Sequence, residues 1–275
     1  MKARKLAREI ERLLRDADVD EAAFEAEYLV RTATDISRVK FFADPEVSVA
    51  DEATARKFAG RRLGREPVAY IVGSREFFGL KFGVSRKVLV PRPESELLVD
   101  LALREAEQLP GATIIDVGTG CGAIAISIAL NLDGTKTTVL GTDLSDEALQ
   151  VAATNRSCHQ ASVGLIRTDL AASICAADVI LANLPYVPSD EIDQLEPEVS
   201  KWEPRVALDG GKDGLGLVRR LVSDCRNRLR PRMLALEVGF GMARTVMSFA
   251  HEAGAQVDVV PDLGRIDRVV TARWQ

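Results

Sequence analysis

The apolar positions of this chain change their period along its length. Over residues 1–60 they recur at helical spacing: Leu6, Ile10, Leu13 and Leu14, then Ala22, Ala26, Leu29, Val30 and Ala33. Apolar residues three and four apart share one helix face, so two amphipathic helices are predicted, the second with Asp20 placed to cap it. A third is predicted from about Val49 to Leu63, with Gly64 as its stop signal. Around Gly79 and Gly83 the aromatic and aliphatic positions Phe77, Phe78, Leu80, Phe82 and Val84 read as a β-hairpin. Pro91-Arg92-Pro93 then breaks the chain, and Leu97, Leu98 and Leu101 mark a helix over 94–107.

From Ala112 onward short apolar runs alternate with helical stretches. The runs at 112–117, 137–143, 162–167, 177–183, 232–239, 254–260 and 266–273 predict seven strands. Strands separated by helices imply a mostly parallel sheet covered on both faces. The last two strands follow each other closely, which predicts one antiparallel hairpin at the edge. The expected fold class is therefore α/β: a Rossmann-like, seven-stranded, mostly parallel sheet with a small N-terminal helical domain. The expected divisions are a helical domain over 1–73, a β-hairpin connector over 74–92 and the sheet domain over 93–275. In such sheets ligands bind beyond the carboxyl ends of the strands.

Composition narrows the class. At 275 residues and 47% apolar, the chain can build a core that needs neither disulfide nor metal. Four cysteines without a CxxC pair, and only two histidines, make a structural zinc site unexpected. Cys121 reads as a small residue in a reducing cytosol. No apolar stretch follows the first lysines and arginines, and no run of about 18 apolar residues occurs, so neither a signal peptide nor a membrane span is expected. The expected location is cytoplasmic. A net charge of −5 argues against stable nucleic-acid binding. Residues 61–92 are locally basic, with Arg61, Arg62, Arg65, Arg75, Lys81, Arg86, Lys87 and Arg92 against Glu66 and Glu76. That stretch reads either as a solvated connector or as a docking face for an acidic or RNA-bound partner.

Candidate chemistry gathers at the predicted strand ends. Gly118, Thr119, Gly120, Cys121 and Gly122 follow the first strand of the sheet and open a helix. Glycines let backbone N–H groups approach a ligand, although a tight turn needs glycines too, and the G-x-G-x-G spacing is shorter than the dinucleotide fingerprint. Asp143 ends the next strand, where an acid accepts hydrogen bonds from both hydroxyls of a ribose; its other reading, as cap of the following helix, suits Ser145 better. Asp169 and Leu170 follow the third strand, placed beside an adenine ring or simply starting a loop. Asn183-Leu184-Pro185-Tyr186 ends the fourth. A side-chain amide, a proline-fixed carbonyl and an aromatic ring together hold a planar NH2 group, which points to methyl transfer onto nitrogen. Arg92, Glu94 and Glu96 read either as a helix-start charge cluster or as a segment shaping the pocket.

The order Asp116–Gly122, Asp143, Asp169, Asn183–Tyr186 resembles that of class I S-adenosylmethionine-dependent methyltransferases. Arg65–Gly73, Arg75–Phe78 and Val90–Glu96 resemble, more specifically, the signature of the HemK/PrmC family, which methylates a glutamine side-chain amide in class-1 peptide chain release factors. Glu203–Gly211 and Asp262–Val269 resemble the same family, so the likeness runs nearly the whole length. One position departs from it: the family's usual tetrapeptide is Asn-Pro-Pro-Tyr, whereas Leu184 stands second here. Asn-Leu-Pro-Tyr is the form usual in rRNA adenine dimethyltransferases, which keeps an adenine-amine methyltransferase acting on rRNA or DNA as the alternative. A non-catalytic module retaining the fold is a third.

The resemblance implies S-adenosyl-L-methionine as cofactor and a class-1 release factor as protein substrate. It implies cofactor contacts at Gly118–Gly122, Asp143, Asp169, Leu170 and Asn183. It implies substrate contacts at Asn183, Leu184, Pro185, Tyr186, Arg92 and Glu94, with the tetrapeptide as the catalytic element and Trp202 and Glu203–Arg205 helping to line the cleft. It also implies that the substrate glutamine enters from the side of the N-terminal domain. The carbonyl of residue 184 is present whatever the side chain, and Pro185 keeps that residue extended.

Overall fold

The computed structural model describes residues 1–132 and 136–274. The chain forms two compact units: Met1–Ser74 with Glu196–Trp202, and Arg75–Leu195 with Glu203–Gln275.

The first unit is helical. Helices Ala3–Asp16, Ala22–Thr34 and Glu52–Leu63 pack their apolar stripes together, burying Leu6, Ile10, Leu14, Ala26, Leu29 and Val30. The third helix is capped by Asp51, whose Oδ1 accepts from the Thr54 N–H at 2.9 Å. The second is not capped by Asp20, contrary to expectation. The chain enters it through a tight turn with Asp18 and Glu21 both left-handed, and Glu21 at the helix start makes no side-chain cap. Two short helices, Arg38–Ala43 and Val68–Val72, were not expected from the apolar spacing.

The basic residues that open the 61–92 stretch are structural. Arg61 forks onto Glu66 at 2.7 and 2.6 Å and donates to the Ile71 and Tyr70 carbonyls at 3.1 Å each. Arg62, 4% exposed, bridges Glu25 at 2.6 Å and Glu198 at 2.7 Å. Arg65 reaches Glu198 at 2.9 Å and the Asp18 carbonyl at 2.8 Å. These three guanidinium groups hold the helical unit together, which neither reading of the stretch anticipated.

The second unit opens with a two-stranded sheet, β1 (Ser74–Phe77) and β2 (Leu80–Gly83). Its turn places Phe78 at φ 51° and Gly79 at φ 70°, the pair of positive angles that a two-residue type I′ hairpin requires. Seven further strands form the main sheet: β3 (Thr113–Val117), β4 (Thr138–Asp143), β5 (Val163–Arg167), β6 (Val179–Ala182), β7 (Met233–Glu237), β8 (Gln256–Pro261) and β9 (Asp267–Arg273). They are ordered β5-β4-β3-β6-β7-β9-β8, parallel except for β9, which runs antiparallel to both β7 and β8. Each of the seven falls on one of the predicted runs, β8 extending one residue past its run and β6 being shorter than expected. Buried parallel strands read as unbroken apolar segments, and β3, β6 and β7 are wholly or almost wholly buried.

Strand order reverses beside β3: β4 and β5 extend one way, β6 and β7 the other. In register, Val117 at the end of β3 faces Thr142 of β4 on one side and Ala182 of β6 on the other. The next residues, Gly118, Asp143 and Asn183, therefore leave the sheet at one edge, where a crevice forms at a topological switch point. Among the described residues no helix is long and apolar enough to cross a membrane.

Candidate functional site

The glycine turn after β3 is built from backbone that only glycine adopts easily. Gly118, Gly120 and Gly122 have φ of 77°, 56° and 83°. A Cβ at Gly122 would also lie 3.0 Å from Ile126 and 3.2 Å from Ala152, so the third glycine lets two helices pack closely. The Gly118 and Thr119 N–H groups both donate to the Thr142 carbonyl at 2.8 Å, tying the turn to β4. Asn155 fixes its far side, donating to the Cys121 carbonyl at 2.8 Å while exchanging two hydrogen bonds with Gly83 of the hairpin.

Asp143 is held by the same turn. Its Oδ2 accepts from the Gly120 N–H at 2.9 Å and its Oδ1 from the Ser145 N–H at 2.9 Å. Ser145 itself caps the helix Asp146–His159, accepting from the Ala148 N–H. Asp143 is thus free of the capping role, and each of its oxygens keeps further acceptor capacity.

A cleft with an empty volume of about 810 Å³, open solvent included, lies at these strand ends. Of the residues expected at a site, it brings together Gly118, Gly120, Asp143, Asp169, Leu170, Asn183, Leu184 and Pro185. Asp169 is exposed and paired with Arg220 at 2.6 Å. Leu170 is buried and left-handed at φ 50°, its carbonyl accepting from the Thr142 hydroxyl. Thr119, Cys121 and Gly122 do not line the cleft. Thr119 Oγ1 instead donates to Asp116 Oδ2 at 2.6 Å, and burial pushes the Cys121 thiol up to about 12, leaving it an unreactive small residue. The walls also include Val88, Leu89, Pro204, Val206 and Ala207. Of these only Pro204 lay within the expected cleft-lining segments.

The tetrapeptide after β6 is set by packing on several sides. Leu184 is 4% exposed and belongs to the sheet's core, with its Cδ2 at 3.4 Å from where a Gly118 Cβ would stand. Tyr186 is half-buried against Gly239 and Met242: a Cβ on Gly239 would meet the ring at 3.0 and 3.1 Å. Behind it, a Cβ on Gly214 would stand 2.1 Å from the Tyr186 carbonyl. Val187 then pairs with the 208–210 segment, donating to the Leu208 carbonyl at 3.0 Å and accepting from the Gly210 N–H at 2.9 Å. The glycines of Asp209-Gly210-Gly211 and Asp213-Gly214 therefore give the tetrapeptide a close backing.

Asn183 is anchored by one end of its amide. Nδ2 donates to Ser95 Oγ at 2.9 Å, and Ser95 Oγ donates to Glu237 Oε2 at 2.5 Å. Among the described residues, neither Asn183 Oδ1 nor the Leu184 carbonyl accepts a hydrogen bond. Arg92 is not free to meet a ligand with its whole guanidinium, since it donates to Glu203 at 2.7 Å, and Glu203 also accepts from the Val90 N–H. Arg92 and Glu94 are not among the lining residues, nor is Tyr186. Burial raises the proton affinity of both Tyr186 and Glu237, and the charge of Glu94 adds to it.

Two buried carboxyls stand out. Burial drives Asp116 up to about 7, against the Thr119 hydrogen bond that opposes it. Burial likewise drives Glu237 up to about 7, opposed by the Ser95 hydrogen bond. Neither received a role from sequence. Glu237 did carry a signal, as a lone carboxylate at the end of the apolar run Met233–Val238.

The PrmC N-terminal domain model matches residues 5–73, and the ribosomal protein L11 methyltransferase (PrmA) model matches residues 99–203. The catalytic domain of hMettl16, in complex with MAT2A 3′UTR hairpin 1, superposes with a TM-score of 0.60 over 92% of this chain and 91% of that one. At 14% identity that likeness shows the fold alone. The release factor glutamine methyltransferase of Caulobacter vibrioides is 35% identical over 94% of this chain and 91% of its own length. That of Cereibacter sphaeroides is 39% identical over 94% and 93%. With identity at this level over nearly its whole length, the chain belongs to the release factor glutamine methyltransferase family.

Proposed function

We propose that this protein transfers a methyl group from S-adenosyl-L-methionine to the side-chain amide nitrogen of a glutamine in a class-1 peptide chain release factor, giving N5-methylglutamine. One observation carries the reading: two oxygen acceptors, Asn183 Oδ1 and the Leu184 carbonyl, belong to adjacent residues lining the strand-end cleft and receive no hydrogen bond among the described residues.

The cleft suits the cofactor. Asp143, steadied by two backbone N–H groups, offers an acid to a vicinal diol, and Leu144, Leu170 and Leu217 offer apolar walls to a flat base. Gly118 and Gly120 present bare backbone. When bound, S-adenosyl-L-methionine supplies an electrophilic sulfonium methyl group. Everything else falls to the chain's own residues.

A carboxamide nitrogen is a poor nucleophile because its lone pair is delocalised into the carbonyl. Asn183 Oδ1 and the Leu184 carbonyl each accept one of the two N–H bonds of the substrate amide. That pair of contacts fixes the plane of the NH2 group and favours the positive charge that develops on nitrogen, an electrostatic contribution from fixed acceptors. Orientation adds to it, since well-aligned intramolecular reactions gain roughly 7–11 kcal/mol. Tyr186, backed by Gly239 and outside the cleft lining, steadies the tetrapeptide that carries the two acceptors and borders the substrate amide. No strong base is required, because the alkylated amide is acidic and sheds its proton readily.

Leu184 in place of proline leaves this device intact. Its function is carried by a main-chain carbonyl, and its side chain fills the core beside Gly118. The adenine alternative would use the same two acceptors on a nucleobase amine, and the net charge of −5 is poorly suited to a phosphate-rich partner. Incubation with methyl-labelled S-adenosyl-L-methionine and either purified release factor or rRNA separates the two. Label on a glutamine amide of the release factor is expected; label on adenine, with none on the protein, would refute the reading.

A further inference from the structure

The anchoring of Asn183 crosses three distant parts of the chain. Asn183 follows β6, Ser95 ends the 3-10 turn Pro93–Ser95, and Glu237 ends β7. Nδ2 of Asn183 donates to Ser95 Oγ at 2.9 Å, and Ser95 Oγ donates to Glu237 Oε2 at 2.5 Å. Ser95 is 3% exposed and Glu237 4%, so water does not compete freely for either.

The direction of this chain of bonds follows from what each group can do. An ionised carboxylate only accepts, and a hydroxyl has one proton to give. Once that proton is committed to Glu237, Ser95 Oγ can only accept from Asn183. Only the NH2 end of the asparagine amide satisfies it. The two ends of a carboxamide are nearly the same shape, so sterics alone do not choose between them. The flipped amide would present donors to a substrate nitrogen that is itself a donor.

We propose that Ser95 and Glu237 are positioning residues that set the direction of the Asn183 carboxamide, so that its oxygen and not its NH2 group meets the substrate amide. The proposal rests on the acceptor role given to Asn183 above, and extends it to two residues that touch neither substrate nor cofactor.

Protonation reverses the chain. A neutral Glu237 donates to Ser95 Oγ, and the serine proton then turns toward Asn183, where it is satisfied by the flipped amide. The charges around Glu237 are Glu94, which neighbours Ser95, Arg92 on the preceding loop, and Arg268 on β9; the Tyr186 phenol faces it as well. Arg92 is engaged by Glu203 and Arg268 by Asp262 at 3.1 Å, so both cations are shared with other carboxylates. Burial outweighs them and raises the Glu237 carboxyl to about 7. Turnover should therefore climb with pH through that region, although neither Asn183 nor a main-chain carbonyl titrates.

The test is steady-state kinetics on the release factor from about pH 6 to about pH 9, with S-adenosyl-L-methionine affinity measured by calorimetry, for the wild type and for S95A, S95T, E237Q and N183A. S95A should lower kcat by about 10–100-fold, the range found when outer hydrogen-bond partners that orient metal ligands are removed, with cofactor affinity unchanged. S95T, which keeps the hydroxyl, should recover most of the loss. E237Q should lose the acid limb of the kcat profile, because glutamine does not titrate. If S95A fails to fold, S95T and E237Q still decide the matter. Wild-type kcat in S95A, or an unaltered acid limb in E237Q, overturns the proposal; if N183A is inactive in the same series, the acceptor role of Asn183 survives it. Normal turnover in N183A removes both.

Discussion

The Gly120 N–H and the Asp143 carboxylate are joined by a 2.9 Å hydrogen bond that ties the glycine turn after β3 to the end of β4. One contact thus fixes both the bare backbone and the acid at the cleft. Asp143→Ala should weaken S-adenosyl-L-methionine binding by roughly 10–100-fold, about what the loss of one charge-assisted hydrogen bond worth about 1.5–3 kcal/mol gives. Turnover at saturating cofactor should change much less. Calorimetry checks it, and an unaltered affinity would remove the acid from the site.

Tyr186 depends on a residue that has no side chain. A methyl group at position 239 would stand 3.0 Å from the Tyr186 ring and 3.2 Å from Met242 Sδ. Gly239→Ala should push the ring aside by a few tenths of an ångström. Small displacements of positioning groups are costly, about 100-fold for roughly 1 Å, so a fall in kcat of about tenfold is expected, with melting temperature and cofactor affinity nearly unchanged. Kinetics beside a thermal melt separates this from a general loss of fold.

Asp116 gives the fold a pH dependence of known sign. Its folded-state carboxyl is raised by burial to about 7 from an ordinary 3.8, so the native state holds this proton longer than the unfolded chain does. Stability from this group is therefore greatest below about pH 4 and is lost as pH rises from there to about 7. Asp116→Asn should flatten that part of the curve relative to the wild type. Chemical denaturation of both proteins at several pH values reads the difference directly; parallel curves would show that Asp116 does not titrate there.

Arg62 is buried within the helical unit between two partners, Glu25 and Glu198. Breaking a buried ion pair by altering one member typically costs about 3–5 kcal/mol. Arg62→Glu should cost at least as much, lowering the melting temperature by many degrees. A variant with wild-type stability would return this arginine to the role of a surface docking charge.

What the sequence made legible follows from where each signal is stored. The strands were readable because their burial is written locally, as apolar runs ending in Asp116–Gly118, Asp143 or Asn183. The tetrapeptide was readable for the same reason, its four residues being adjacent. The support behind it was not. Ser95 lies 142 residues from Glu237 and 88 from Asn183, and Arg62 lies 136 from Glu198, so no spacing within a window connects them. Ser95 lies inside the Val90–Glu96 block, where the charges of Arg92, Glu94 and Glu96 are the stronger chemical signal. The cap assigned to Asp20 failed on local geometry: composition suggested a side-chain cap, but two left-handed residues admit the chain to the helix without one.

The most direct test of the account is the turnover of Asn183→Ala on a release factor, measured beside its affinity for S-adenosyl-L-methionine. Losing one fixed acceptor at the reacting nitrogen should reduce kcat by about 10²–10³-fold, or roughly 2.7–4 kcal/mol, while the cofactor still binds nearly as tightly as in the wild type. An Asn183→Ala protein that methylates the glutamine at close to the normal rate would contradict the central claim.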